Sequence, residues 1–200
     1  MKKTIRLLIL GFVLLLGSQS HATISPLGVA IFAPVQFPPS DFSITGARLS
    51  FLVGRHRHVY GIDLAGIGNI TEQEFAGIGI SGVFNSTRGQ TTILGLQAAG
   101  AANLNNNKVN VWGLQIAGAV NSNVAQSTVV GLQAAIFANL SAYTKIYGAQ
   151  IGLYNTAQEV FGFQIGLLNF TTDLHGVQIG LLNFYQNGLF KVSPILNVGF

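Results

Sequence analysis

The sequence predicts an all-β protein built from repeats, an antiparallel closed β-barrel, with a β-solenoid as the alternative architecture. Three observations predict it. One phrase recurs between Gly46 and Phe190, best preserved as Gly162-Phe-Gln-Ile-Gly-Leu-Leu-Asn169 and Gly176-Val-Gln-Ile-Gly-Leu-Leu-Asn183. Within a copy the pattern has period two: Phe163, Ile165 and Leu167 share one face, Gly162, Gln164 and Gly166 the other, as in a strand. Glycine inside each motif and β-branched residues such as Val109, Val111, Val129 and Val130 disfavour helix. A copy of 14 to 18 residues is too short to fold alone, so each must bury an apolar face against its neighbours.

Residues 1–22 read as a secretory signal peptide. Lys2, Lys3 and Arg6 form a basic head, Leu7 to Leu16 an apolar run, and Ser20-His21-Ala22 a small-residue cleavage box. The apolar run is well short of the roughly 20 residues that a spanning helix needs. The chain has no cysteine, hence no lipid-attachment thiol, disulfide framework or thiolate metal site. The formal charge of +4 includes the three basic residues of the head, and about +1 remains without them, which argues against nucleic acid as a partner. Only 8% of residues are charged while 49% are apolar, against roughly 25% charged in ordinary soluble domains. Such a chain either faces lipid or covers itself with Asn, Gln, Ser and Thr, and both options point to the cell envelope.

Residues 23–45 do not repeat. Pro26, Pro34, Pro38 and Pro39 exclude long regular structure there, with room for one short strand from Leu27 to Phe32, and the segment reads as a lead-in piece or plug. Residues 46–190 form the repeat domain. Copies begin at Gly46, Gly61, Gly77, Gly95, Gly113, Gly131, Gly148, Gly162 and Gly176, spaced 15, 16, 18, 18, 18, 17, 14 and 14 apart. Gln97, Gln115, Gln133, Gln150, Gln164 and Gln178 fill the third position. Asn69, Asn85, Asn103, Asn121 and Asn139 follow eight residues after the glycine, and Asn155, Asn169 and Asn183 seven after it. Gly54 takes that place in the first copy. Polar stretches such as Asn103-Leu-Asn-Asn-Asn107 and Asn121-Ser-Asn123 read as turns. Residues 191–200 form a last strand ending in Phe200, and a terminal aromatic on such a segment resembles the recognition signal of outer-membrane barrel strands.

Three architectures fit this pattern. A transmembrane up-and-down barrel needs strands of about 9 to 11 residues, which a copy supplies, but its loops alternate long and short and these connectors do not. A solenoid with one coil per copy explains why all copies are alike and lets Gln and Asn stack in ladders, but it must absorb the drift from 18 to 14 residues. A shallow closed barrel of hairpin-like units absorbs that drift at its tips and removes exposed edges. The two barrels are preferred.

The phrases Gly113-Leu-Gln-Ile116, Gly162 to Asn169 and Gly176 to Asn183 resemble the bacterial surface repeat-containing proteins, which recur as Gly-φ-Gln-φ-Gly-φ-φ-Asn. The resemblance covers about residues 46–190. It implies an envelope protein and, by similarity to related repeat proteins, a β-flower: a radially symmetric shallow barrel that engages membrane lipid. Asp63 and Gly79 depart from the pattern at the Gln position.

The one dense polar cluster is Arg55-His56-Arg57-His58. On a strand His56 and His58 share a face that holds a metal only with a third ligand, and Arg55 with Arg57 suits a phosphate, so lipid phosphate is the expected contact if the cluster acts. The bland alternative is a solvated basic rim. No nucleophile, base and acid converge in a recognisable motif, Glu72 and Glu74 sit in a connector, and Gly77-Ile-Gly79 lacks the lysine of a phosphate loop. No enzyme activity, cofactor or metal is therefore expected. The Gln97–Gln178 column and Asn103, Asn121, Asn139, Asn155, Asn169 and Asn183 read as scaffold residues that bond from copy to copy.

The expectation is a non-enzymatic protein exported to the outer membrane or cell surface, with a structural or lipid-contacting role. Membrane lipid is the expected partner and the outer-membrane assembly machinery a candidate one. The alternatives are a periplasmic or secreted binding module for a glycan or host surface, and a small pore.

Overall fold

The computed structural model describes residues 23–200, so the signal-peptide reading of residues 1–22 lies outside the described residues. The chain winds into a mostly parallel β-solenoid of about nine turns, not a closed barrel. At its start β1 (Ile24–Phe32) lies parallel to β3 (Ser43–His56), and β2 (Val35–Phe37) folds back antiparallel on β1. Each following coil pairs a long strand with a short one. These are β4 (His58–Ala65) with β5 (Gly68–Thr71), β6 (Phe75–Ser81) with β7 (Phe84–Thr87), and β8 (Thr91–Ala99) with β9 (Ala102–Asn105). Then come β10 (Val109–Ala117) with β11 (Val120–Asn123), and β12 (Ser127–Ala135) with the first part of β13 (Ala138–Ile151). In β13, β14 (Tyr154–Ile165) and β15 (Leu168–Tyr185) the short strand of one coil runs straight into the long strand of the next. β16 (Val192–Gly199) turns back antiparallel on β15 and covers the last coil.

The antiparallel barrel and the β-flower are thus corrected. Consecutive long strands lie side by side in parallel, glycine opposite glycine, Gln opposite Gln: Gly113 pairs with Gly131 and Gln115 with Gln133. Hairpins would run neighbouring copies in opposite directions and break this match. Only parallel, in-register stacking sets each amide beside its own counterpart one strand spacing away, about 4.8 Å.

The length drift finds its place at two corners. Between long and short strands, Ala117-Gly118-Ala119 in one coil becomes Gly152-Leu153 in a later one, a loss of one residue. The rest comes from the connector after the short strand. Asn123 to Ser127 spans a gap between β11 and β12, whereas β14 runs from Tyr154 to Ile165 without a break. A register shift between Ser141 and Lys145 in the β13–β14 pair marks the change.

The glycine at each copy start has a conformational reason. Gly113 has φ 133°, a region closed to other residues, and a Cβ there would collide with the Gly95 carbonyl oxygen of the preceding coil. Gly95 (φ 99°) is the exception: two extra residues enter β8 between its pairings with Gly77 and Gly79, and a Cβ on Gly95 would meet only Ile78, at 3.8 Å.

Inside the coil, Val109, Val111, Val129, Ile146, Val160 and Leu174 pack into an aliphatic stripe. Ile44, Val59, Phe75 and Ile93 carry the stripe into the first coils, and beside it the interior holds rows of polar side chains. All six column glutamines and the column asparagines Asn103, Asn121, Asn139, Asn155, Asn169 and Asn183 are buried to 1% exposure or less. Of the stretches read as Asn-rich turns, Asn103 to Asn105 and Asn121 to Asn123 are instead in strands β9 and β11, because their amides find stacking partners that override asparagine's low strand preference, while Asn106 and Asn107 lie in the connector.

Candidate functional site

The buried amides form two hydrogen-bonded ladders. Gln115 Nε2 donates to Gln97 Oε1 at 2.8 Å, and Gln133, Gln150, Gln164 and Gln178 each donate to the glutamine one coil earlier at 2.7 Å. Asparagine runs the other way. Asn103 Nδ2 donates to Asn121 Oδ1 at 2.9 Å, Asn121 to Asn139, Asn139 to Asn155, Asn155 to Asn169, and Asn169 to Asn183 at 2.8 Å. The second proton of each asparagine goes to a backbone oxygen of the next coil, as in Asn139 Nδ2 to Ile151 O at 2.8 Å. The two ladders therefore carry amide dipoles in opposite senses along the axis. β16 closes both, since Asn197 Nδ2 reaches Gln178 Oε1 and Asn183 Nδ2 reaches Ser193 O. These residues hold the coils in register; none is open to a ligand.

A third buried polar row, Asn105, Asn123 and Ser141, is tied to the glutamines: Gln133 Nε2 donates to Ser141 Oγ at 2.9 Å. Its signal in the sequence is a polar residue ten positions after Gly95, Gly113 and Gly131.

The Arg55–His58 cluster does not converge. Arg55 leaves the coil and binds Glu72 at 2.5 Å; Glu72 also holds Arg88 at 2.6 Å. Arg57 bonds Gln73 Oε1 at 3.2 Å, and His58 Nδ1 stands 3.8 Å from Glu74. His56 turns inward and is fully buried. Its Nε2–H donates to the Pro38 carbonyl at 3.0 Å, leaving the bare Nδ1 to face Arg48 Nη1 at 3.4 Å. Burial first, and the Arg48 charge second, push the His56 imidazole down to about 4.

Arg48 is the group that the sequence reading missed. It fills the Gln position of the first copy and lies in register with Asp63, which fills it in the second. The pair is bidentate, Nε to Oδ1 at 2.7 Å and Nη2 to Oδ2 at 2.6 Å, with Nη1 on Ile70 O at 3.0 Å. Burial pushes the Asp63 carboxyl up and Arg48 pulls it back. Opposite charges at one position of adjacent copies were the available sign. Among the described residues, no three His, Cys, Asp or Glu side chains come together in a way that would hold a metal ion.

The outer surface is apolar over much of its extent. The long-strand face carries Leu94, Trp112, Leu114, Ile116, Phe163 and Ile165, all open to solvent. It continues over the corner between long and short strands through Phe51, Ile67, Val83, Phe137, Leu153, Leu167 and Leu181, with Phe51 77% and Leu181 64% exposed. Two apolar grooves of about 680 Å³ lie on this corner, one around Ile136, Leu153, Leu167 and Leu181, the other around Ile31, Leu49, Phe51 and Leu64. Among the described residues no Asp, Glu, Lys or Arg projects from the corner, and those on the long-strand face, Lys145, Glu159 and Asp173, stand in its row farthest from the corner. Among the described residues the charges outside the Arg48–Asp63 pair stand on the connector edge, at strand ends beside it, or in the terminal segments. Monomeric soluble proteins rarely expose an apolar strip of this extent.

The chain matches no protein-family model, no curated protein and no solved structure.

Proposed function

We propose that the chain is an exported, non-enzymatic protein of the cell envelope that meets membrane lipid through its apolar long-strand face and corner. The observation that carries this reading is the exposed strip of leucine, isoleucine, phenylalanine and tryptophan along the long-strand face and corner of a coil whose interior holds the amide ladders. Burying one large aliphatic or aromatic side chain contributes about 1.5–3 kcal/mol, so even partial insertion of a row along the corner supports stable association. The ladders bond each coil behind that face to the next. The basic segment at the head of the sequence adds the route of export.

Fractionation of cells producing the whole chain tests this. The processed protein is expected in the membrane pellet, resistant to a high-salt wash and released by detergent. Recovery wholly in the soluble periplasmic fraction would sink the proposal.

A further inference from the structure

Across the long-strand face from Gly95 onward, side chains are graded by row, with Leu94 and Val130 standing in the ring row of their coils. Three residues before each glycine the outward row is polar: Thr92, Asn110, Thr128, Lys145, Glu159 and Asp173. One residue before it the row is rich in rings, with Trp112, Tyr147, Phe161 and His175. Tyr147, Phe161 and His175 stack with centroids 4.8 and 4.5 Å apart. One and three residues after it the rows are wholly apolar, ending in Ile116, Ile151, Ile165 and Ile179. Beyond them the corner projects Phe137, Leu153, Leu167 and Leu181.

Polar, then ring, then aliphatic is the order in which side chains distribute from water through the headgroup layer into acyl chains. A protein partner would need no such grading. The corner row is also uneven, falling from Phe137 to Ala119 and Ala101, which a fluid surface fills and a rigid copy of the same strip does not. We infer that the solenoid lies with its axis parallel to a lipid bilayer, its corner in the acyl chains and Trp112 and Tyr147 at the headgroup boundary. Lys145, Glu159 and Asp173 stay in water. This orientation rests on the lipid contact proposed above. From Trp112 to Ile116 the strand advances roughly 13 Å, so an inclined sheet sets the corner about 10 Å below the ring row.

Trp112 is the chain's one tryptophan and reports its own depth. The processed protein is mixed with vesicles of phosphatidylcholine and phosphatidylglycerol carrying bromine either near the headgroup or deep in the acyl chain. Trp112 emission is expected to shift to the blue and to lose more intensity to the shallow bromine. A Phe137→Trp variant in a Trp112→Phe background is expected to lose more to the deep bromine. Both positions are exposed, so unchanged circular dichroism confirms that the variants fold. If the protein floats with the vesicles but both tryptophans are quenched alike, or Phe137→Trp is not quenched, the orientation is overturned while lipid contact stands. If it does not float, both fail. Trp112 already blue-shifted in a dimer before lipid is added would assign the strip to a second copy and overturn the inference.

Discussion

Gly54 stands in register with Asn69, and Asn69 Oδ1 is a buried oxygen that accepts no hydrogen bond. In every later coil that oxygen accepts from the asparagine one coil earlier, beginning with Asn69 Nδ2 to Asn85 Oδ1 at 3.0 Å. Asn69 is therefore the open end of the ladder, and the interior rungs differ from it in how many partners they satisfy.

Removing an interior rung strands groups on both sides. Asn139→Ala leaves Asn121 Nδ2, Asn155 Oδ1 and Ile151 O short of a partner and is expected to cost about 3 kcal/mol, whereas Asn69→Ala also removes the orphaned oxygen and costs about 1–2 kcal/mol. Urea unfolding of the two variants gives the comparison. Equal losses would mean that the ladder does not act as a bonded chain.

The glycine column supplies a second contrast. Gly113→Ala combines a forbidden φ with a collision against the Gly95 carbonyl and is expected to destabilise by more than about 3 kcal/mol or to prevent folding. Gly95→Ala bears the backbone strain alone, because its Cβ makes only ordinary contact with the Ile78 side chain, and is expected to cost about 1–3 kcal/mol. Thermal unfolding ranks them.

Arg48 and Asp63 are expected to be costly to separate and cheap to replace together. Arg48→Met leaves the buried Asp63 carboxylate without its partner and should cost about 3–5 kcal/mol, while Arg48→Met with Asp63→Leu recovers most of that loss. A double variant no more stable than the single one would show that the pair is needed for more than charge balance.

His56 links the first coils to pH. Its folded value of about 4 lies below the ordinary 6.5, so between these values the unfolded chain binds a proton that the folded chain refuses. Stability therefore falls as pH drops through that window. The urea midpoint of the parent is expected to decrease from about pH 7 to about pH 5, and that of His56→Gln to decrease less. Identical slopes would remove His56 from the linkage.

The sequence made the long strands, the repeat and the Gln and Asn columns legible, because Phe163, Gln164 and Ile165 alternate alike in any β-structure, while the short strands β9 and β11 read as turns. That same property hid the choice of architecture. Period two says nothing about whether the neighbour of Gln164 is reached by a hairpin or by a full coil; only lateral matching does, and Gln150, Gln164 and Gln178 can bond in series only when parallel. Arg48 escaped notice because its copy lacks both the Gln and the Asn that define the phrase. His56 looked like part of a basic surface run, and its inward turn follows from the alternation of β3, which points Arg55 out.

The outward apolar face is the center of the account, and flotation on vesicles tests it most directly. The processed parent is expected to rise with phosphatidylcholine–phosphatidylglycerol vesicles through a sucrose gradient. Leu153→Asp with Leu167→Asp, at two exposed corner positions, should keep the parent's circular dichroism and remain at the bottom. A parent that stays at the bottom, or a variant that floats as well as the parent, would contradict it.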